Sequence, residues 1–517
     1  MKIVVPFLFM LSGFLFLPEI SIASSSVPQE WIEGIVFLDT NGNQHYDLHE
    51  TGLSGILVSN GEEVAVTNND GHWKLPSSNA TAIFVIKPPG YSFSTFPNGT
   101  PQHFYLLNNL DPNHSHPFLH FALNRDSTES SNFSALFLAD PQARGIREVN
   151  FISRDVVEEI IGHDAAFGVV LGDIVADDPA LFHEVGQSFG QTGFPWYYVF
   201  GNHDNDRAAT VNIDRDYTFR QHFGPSTYAF EYGQVSFIVL NNVYFNPDGR
   251  YRGHLTERQL AFVKNYVSQL PADRLLVLAM HIPVVAVDKQ TELYSLINHH
   301  PHVFSISGHV HRQMQLFLEE EPEWNSQVPH HHLVNATVSG SWWCGIADER
   351  GIPHATMNDG APNGYSIIKF SGNTYSVRFK PAGRPENYQM NIHLDDDILR
   401  DAADTTSVLV NVFAGSARSK VEMRVGREGL WQPLAQEFVV DPLNLWMHSL
   451  TPFLKEQVLG VTLDTKLGWA MDYPSVSTHI WKGQLPSGLT PGTYTLSVRT
   501  TDMFNQTWEA HRVFRIR

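Results

Sequence analysis

Cysteine is almost absent from this 517-residue chain: Cys344 stands alone, so no internal disulfide can form and stability must come from packing or metals. Basic side chains are scarce too, with 34 Lys and Arg against 54 Asp and Glu, a formal charge of −20. Such a balance argues against nucleic-acid binding, and any phosphorylated ligand must be held by local cations such as metals. After Leu17 no apolar run is long enough to cross a bilayer, so no transmembrane segment is expected. The early run Ile3 to Leu17 follows Met1-Lys2 and precedes the small-x-small triplet Ser21-Ile22-Ala23. Residues 1–23 therefore read as a secretory signal peptide, and an exported protein, periplasmic or secreted, is expected. Repeats and low-complexity tracts are also missing.

What is present suits a large globular protein. Hydrophobic residues make up 42%, with 11 Trp and 34 Phe, and the length implies three or four domains. Residues 28–125 carry short alternating runs such as Ile35-Val36-Phe37 and Ile83-Phe84-Val85, with Asn60-Gly61 and Asp70-Gly71 as hairpin turns. They predict an N-terminal β-sandwich. Residues 132–382 alternate apolar strands with helical spacing at 147–161 and 256–270, which predicts an α/β layered domain with functional loops at strand ends. Residues 390–517 return to β alternation and predict a C-terminal β-sandwich.

Five segments in the central part follow apolar runs: Asp140-Pro141-Gln142, Gly172-Asp173, Gly201-Asn202-His203-Asp204, His281-Ile282-Pro283 and Gly308-His309-Val310-His311. Ser341-Trp342-Trp343 is a weaker companion. The types Asp, Asp, Asn, His, His, His are what two adjacent divalent cations need. Such a pair, ~3.5–4 Å apart, requires a bridging carboxylate, for which Asp173 is the candidate. Carboxylate and imidazole together select Zn, Fe, Mn or Co over Ca. Asn202 supplies a neutral oxygen, and His203 beside it is free to face a leaving group.

These segments resemble the calcineurin-like metallophosphoesterase superfamily, whose pattern is D-x-H, G-D-x-x-D, G-N-H-D/E, H and G-H-x-H. The resemblance implies a four-layer α/β sandwich and a metal-bridging hydroxide that attacks a phosphomonoester or phosphodiester. It implies Asp140, Asp173 and His311 on one cation, and Asp173, Asn202, His281 and His309 on the other. His203 would contact the phosphoryl group or protonate the leaving oxygen. Gln142 stands where the family has His, and Asp177 comes one residue late in its motif. Exported bacterial members share the flanking β-domains. In those members a segment like Ser341-Trp342-Trp343 through Asp359-Gly360-Ala361-Pro362-Asn363 follows the last motif. Trp342, Trp343, Asp359 and Asn363 are thus candidates for a loop selecting the alcohol side of the substrate; a packed hairpin with Trp in the core is the other reading.

Substrates would be small-molecule or lipid phosphoesters. The rival reading, resting on Gln142, is a non-catalytic cell-surface or glycan-binding protein on a degenerate scaffold; a third reading keeps the enzyme and gives its β-domains the surface or glycan contact. Separately, Asp39, Asn41, Asn43, His45, Asp47 and Glu50 occupy positions 1, 3, 5, 7, 9 and 12 of a Ca²⁺-loop template, His45 through its carbonyl. One structural calcium is expected there, with Gln44 in place of the usual Gly. The His330-His331-His332 cluster is expected to be a polar loop or strand start, and Cys344 a packed thiol.

Overall fold

The computed structural model describes residues 30–77, 80–110, 118–319, 324, 328–453 and 471–517. The expected signal peptide lies outside them.

The N-terminal domain is two four-stranded sheets. In one, Trp31–Leu38 sits between His72–Pro76 and Phe118–Arg125; in the other, Leu57–Ser59 sits between Val64–Val66 and Ala82–Val85. Alternation decides the faces: Ile32, Val36, Trp73, Leu75, Leu119, Phe121 and Leu123 turn inward and meet Val58, Ile83 and Val85 in one core.

The central domain has two sheets packed face to face. The first orders Trp196–Tyr198, Phe167–Val170, Asn132–Leu138, Gly364–Ser371 and Thr374–Pro381. Its first three strands are parallel and the last two antiparallel. The second orders Tyr228–Tyr232, Val235–Leu240, Leu275–Met280, Val303–Ser307, His330–Val334 and Met314–Leu318. Strands buried on both faces read as continuous apolar runs, which is why LLVLAM and VSFIVL lack alternation. Phe137, Phe167, Val169, Phe237 and Val277 fill the space between the sheets. Helices Ile146–Ile152, Phe182–Gly190 and Tyr217–Phe223 cover the first sheet, while Glu257–Val267 and Gln290–Ile297 pack with the second. The result is the four-layer sandwich. Helix Glu257–Val267 begins at a capping box of Thr256 and Gln259.

The helix predicted over 147–161 is broken by a π-turn at Ser153–Val157, which turns Asp155 inward to meet Arg350 and Asn363. Of the two readings of the histidine cluster the strand start holds: His330 opens the strand His330–Val334, and His330 and His332 are fully buried on it, bonded to Ser305 Oγ at 2.8 and 2.6 Å. Burial pushes the imidazoles of His330 and His331 down to about 3, so both stay neutral.

The C-terminal domain pairs a four-stranded sheet around Ser407–Val412 and Val476–Gln484 with a five-stranded sheet around Gly492–Thr501 and Thr507–Ile516. It also holds a helix, Pro442–Phe453, that the β pattern did not predict. Asp441 caps it by accepting from Asn444 N at 2.8 Å, and Pro442 follows the cap. No helix among the described residues is long and apolar enough to cross a membrane.

The Asp39–Glu50 segment closes on itself. Asp39 accepts from Gly42 N and Gln44 N (2.7 and 2.9 Å), Glu50 from Thr40 N and Asp47 N (2.8 and 3.1 Å), and Asp47 from the amides of Asn41 and Asn43 (2.8 and 2.9 Å). Asn43 Oδ1 in turn accepts from His45 N at 2.8 Å. Gln44 takes φ 63°, so the left-handed turn forms without glycine. The carboxylates are occupied by the loop's own donors, and the structure lends the expected calcium no support.

The N-terminal domain is bonded to the central sandwich through a buried cation. Lys87 Nζ donates to Glu129 Oε2 at 2.8 Å and to Glu231 O at 3.0 Å, and Glu231 N returns a bond to Lys87 O. Lys87→Ala leaves Glu129 buried without its cation and should cost about 3–5 kcal/mol in chemical unfolding. The pair Lys87→Met with Glu129→Gln should recover most of that loss, and no loss in the single variant would contradict the reading.

Candidate metal centre

The two sheets meet at one end. Strands Asn132–Leu138 and Phe167–Val170 of the first sheet, and Leu275–Met280 and Val303–Ser307 of the second, deliver Asp140, Asp173, His281 and the 308–311 loop to the same place. The loops are bonded to one another: Asp140 N to Gly172 O at 3.2 Å, Gln142 N to Asp173 O at 2.9 Å, Gly308 N to His281 O at 3.1 Å. Glycine is required at two crossings. A Cβ on Gly172 (φ 86°) would lie 2.6 Å from His281 Nδ1, and one on Gly308 2.3 Å from Asp140 Oδ2.

Backbone strain concentrates here. Twelve non-glycine residues among those described have positive φ, and eight are Asp140, Gln142, Asp173, Asp177, His309, His311, Trp342 and Trp343. Each such conformation costs on the order of 1–3 kcal/mol and persists only where surroundings enforce it. The left-handed turns aim side chains from neighbouring loops at one point.

That point lies around His281 Nε2. Asn202 Oδ1 is 3.0 Å from it, Asp173 Oδ2 3.2 Å and His309 Nδ1 3.2 Å. His311 Nε2 is 3.7 Å from Asp140 Oδ1. Asp173, His281 and His309 each offer a ligand atom within 4.8 Å of the others. Second contacts orient the rings: His281 Nδ1 donates to Leu171 O at 2.8 Å and His311 Nδ1 to Gly340 O at 2.5 Å, which leaves both Nε2 atoms facing inward. Gln142 Nε2 donates to Asp173 Oδ2 at 3.1 Å, while Gln142 Oε1 is buried with no partner among the described residues. An orphaned buried oxygen beside two carboxylates, and two imidazole nitrogens facing each other, fit a cation.

Electrostatics agree. Burial raises the Asp140 carboxyl above the ordinary range. Burial works the same way on Asp173, but His281 and His203 outweigh it and hold that carboxyl well below the ordinary range. Burial opposes charge on His281, yet Asp173 wins and lifts it to about 9. His309 is pushed down to about 3, by burial and then by His281. Asp204, raised to about 8 by burial and by Asp173, spends its oxygens on Gly201 N and Val175 N and so shapes the Asn202 loop.

His203 stands at the rim. Its N–H donates to Asp173 Oδ1 at 2.8 Å, and its Nδ1 meets Asp177 Oδ1 at 2.8 Å. Asp177, whose role the late motif position put in doubt, also pairs with Arg207 and takes φ 72°, so the extra residue is absorbed in a left-handed turn. Trp342 lies over the centre, stacked on His311 (5.6 Å, 2°) and edge-on to His203 (4.9 Å, 89°). Tyr251, which the sequence reading missed, is 42% exposed and edge-on to His309 at 5.8 Å. Its strand, Tyr251–His254, is too short and polar to have signalled it.

The other proposed substrate residues do not line the site. Trp343 is 1% exposed, donates to Pro141 O at 2.9 Å and packs on Phe151. Asn363 is buried and donates to Asp155 and Val338 O. Asp359 is buried and accepts from Gln313 N at 2.7 Å. Of the pair Trp342-Trp343, the first packs on His203 and His311 and the second lies in the core. Cys344 is buried, and burial pushes its thiol up to about 12, so it is inert.

Asp359 instead joins the C-terminal domain to the ligand loop. His479 Nε2 meets Asp359 Oδ2 at 2.9 Å, and His479 Nδ1 meets Asn411 Oδ1 at 2.7 Å. Asn444 Nδ2 donates to Asn358 O at 3.2 Å, Asn358 N donates to His311 O at 3.1 Å, and Ser341 Oγ donates to Asn358 Oδ1 at 2.6 Å. The C-terminal domain thus grips both sides of the loops that carry His311 and Trp342.

The four-layer sandwich thus presents, at its strand ends, a residue set able to hold divalent cations. The calcineurin-like phosphoesterase family matches residues 135–313, the N terminal of calcineurin-like phosphoesterase residues 39–126, and the C terminal of calcineurin-like phosphoesterase residues 332–508. The chain belongs to the calcineurin-like phosphoesterase family. No curated protein matches it significantly. Among solved structures, purple acid phosphatase PPD1 from yellow lupin (Lupinus luteus) seeds aligns with TM-score 0.36 and 10% identity over 65% of this chain. The alignment spans 65% of that phosphatase's length, a likeness too distant to bear on activity.

His479→Ala removes the buried partner of Asp359 and should lower turnover of an aryl phosphate about 10–100-fold with the fold retained by circular dichroism. His479→Gln, which keeps a side-chain donor, should recover part of it. Wild-type turnover in the alanine variant would show that the C-terminal domain only packs.

Proposed function

We propose that the chain is an exported hydrolase of phosphomonoesters or phosphodiesters that works with two divalent transition ions. The convergence of Asn202, Asp173 and His309 on His281 Nε2 within 3.2 Å is the observation that carries this reading. Asp140, Asp173 and His311, with Gln142 Oε1 beside them, would hold one ion; Asp173, Asn202, His281 and His309 would hold the other. When bound, the pair supplies electrophilic stabilisation of the phosphoryl oxygens and acidifies a water.

The chain's own residues do the rest. Gln142 Nε2 fixes one oxygen of Asp173 and His203 N the other, so the shared carboxylate cannot rotate. Asp177 accepts a hydrogen bond from Nδ1–H of His203, which directs Nε2 to the substrate side; there an Nε2–H would pass to the leaving oxygen while Nδ1–H stays bonded to Asp177, leaving a neutral imidazole. Arg207, paired with Asp177 and 64% exposed, adds positive charge at the same rim. Trp342 packs against His203 and His311, holding both rings and keeping water off that side. Gln142 is bonded into the centre rather than turned away from it, so it does not favour a non-catalytic scaffold.

His203→Ala should lower turnover of p-nitrophenyl phosphate or its bis ester by about 10²–10⁴-fold while metal content by plasma emission stays at the wild-type level. Asp173→Asn should lose both turnover and bound metal. Wild-type turnover in Asp173→Asn would overturn the assignment.

A further inference from the structure

A cleft of about 720 Å³ opens between the N-terminal domain and helices Phe182–Gly190 and Tyr217–Phe223. No residue gathered around Asp173 lines it. In a chain with 17% charged residues, its lining holds no Asp, Glu, Lys or Arg. The walls are instead amides, imidazoles and aromatic rings, among them Gln102, Gln187, Gln221, His183, Phe96 and Phe104.

We propose that this cleft binds a neutral oligosaccharide at a site separate from the metal centre. Each sugar hydroxyl both donates and accepts, so a site for it needs side chains that do both, which amides and neutral imidazoles provide. The Gln187 amide, half-buried, and the His183 ring, exposed, both line the cleft and are accessible to a ligand. Sugar C–H faces also need an exposed ring. Phe96 is 40% exposed and is backed by Phe104 with centroids 6.1 Å apart. A wholly apolar ligand would leave these polar groups unpaired, and an anion would find no cationic side chain. The walls are held at fixed separation: Asn98 Nδ2 donates to His222 O at 2.8 Å, and Asn109 Nδ2 donates to Gln221 Oε1 at 3.0 Å, each bond crossing between the two domains. A preformed cleft of this kind orders few groups on binding.

The test is calorimetry of the full chain with hexasaccharides of β-1,4-glucose, β-1,4-xylose, β-1,4-mannose and α-1,4-glucose, and with hexagalacturonate as the anionic probe. The expected result is saturable binding of at least one neutral hexamer, weakened about tenfold or more in both Phe96→Ala and Gln187→Ala. Turnover of p-nitrophenyl phosphate should be unchanged in both variants, so the outcome is independent of the metal centre. No binding of any neutral hexamer, tighter binding of hexagalacturonate, or wild-type affinity in both variants would overturn the proposal.

Discussion

Two carboxylates, Asp140 and Asp173, are buried to 0% and 1% exposure where the ends of two sheets meet, and the surrounding structure answers that concentration of negative charge. Buried anions are tolerated only when paired, hydrogen-bonded or ligated. Here the response is layered. Backbone N–H groups of His203 and His309 point at the two carboxylates, and His281 and His311 lie within 3.2 and 3.7 Å of them. The strain of eight left-handed residues is tolerated for the same purpose, because only tight turns bring loops from both sheets to one point.

The flanking domains are part of this arrangement rather than appendages. Arg258 on helix Glu257–Val267 of the central domain donates to Asn60 O and Glu62 of the N-terminal domain, and Trp196 N donates to Gly99 O. On the other side, Asn444 and His479 reach, through Asn358 and Asp359, the backbone of His311 and Gln313. The family segment that begins at residue 332 accordingly runs from the sandwich itself, through strands Gly364–Ser371 and Thr374–Pro381, into the C-terminal domain.

The strands of the sandwich were legible because burial on both faces leaves continuous apolar runs, and the site was legible because its residue types follow those runs. What escaped was decided by geometry that residue type does not encode. Trp342 and Trp343 are adjacent and identical, both with positive φ, yet one covers the centre and the other fills the core. Asp177 reaches His203 despite its extra residue because a left-handed turn shortens the path. Asp359 and Asn363, polar and close to the last motif, satisfy buried partners across the domain boundary and inside the sandwich instead of facing solvent. Helix Pro442–Phe453 did carry a start signal in Asp441-Pro442, masked by the β alternation on either side.

Anomalous diffraction from crystals grown with the purified metals bears most directly on the central claim. Two peaks per chain about 3.5–4 Å apart are predicted, with Asp173 between them, Asp140 and His311 on one, and Asn202, His281 and His309 on the other. A single peak, or metal bound away from Asp173, would contradict the account.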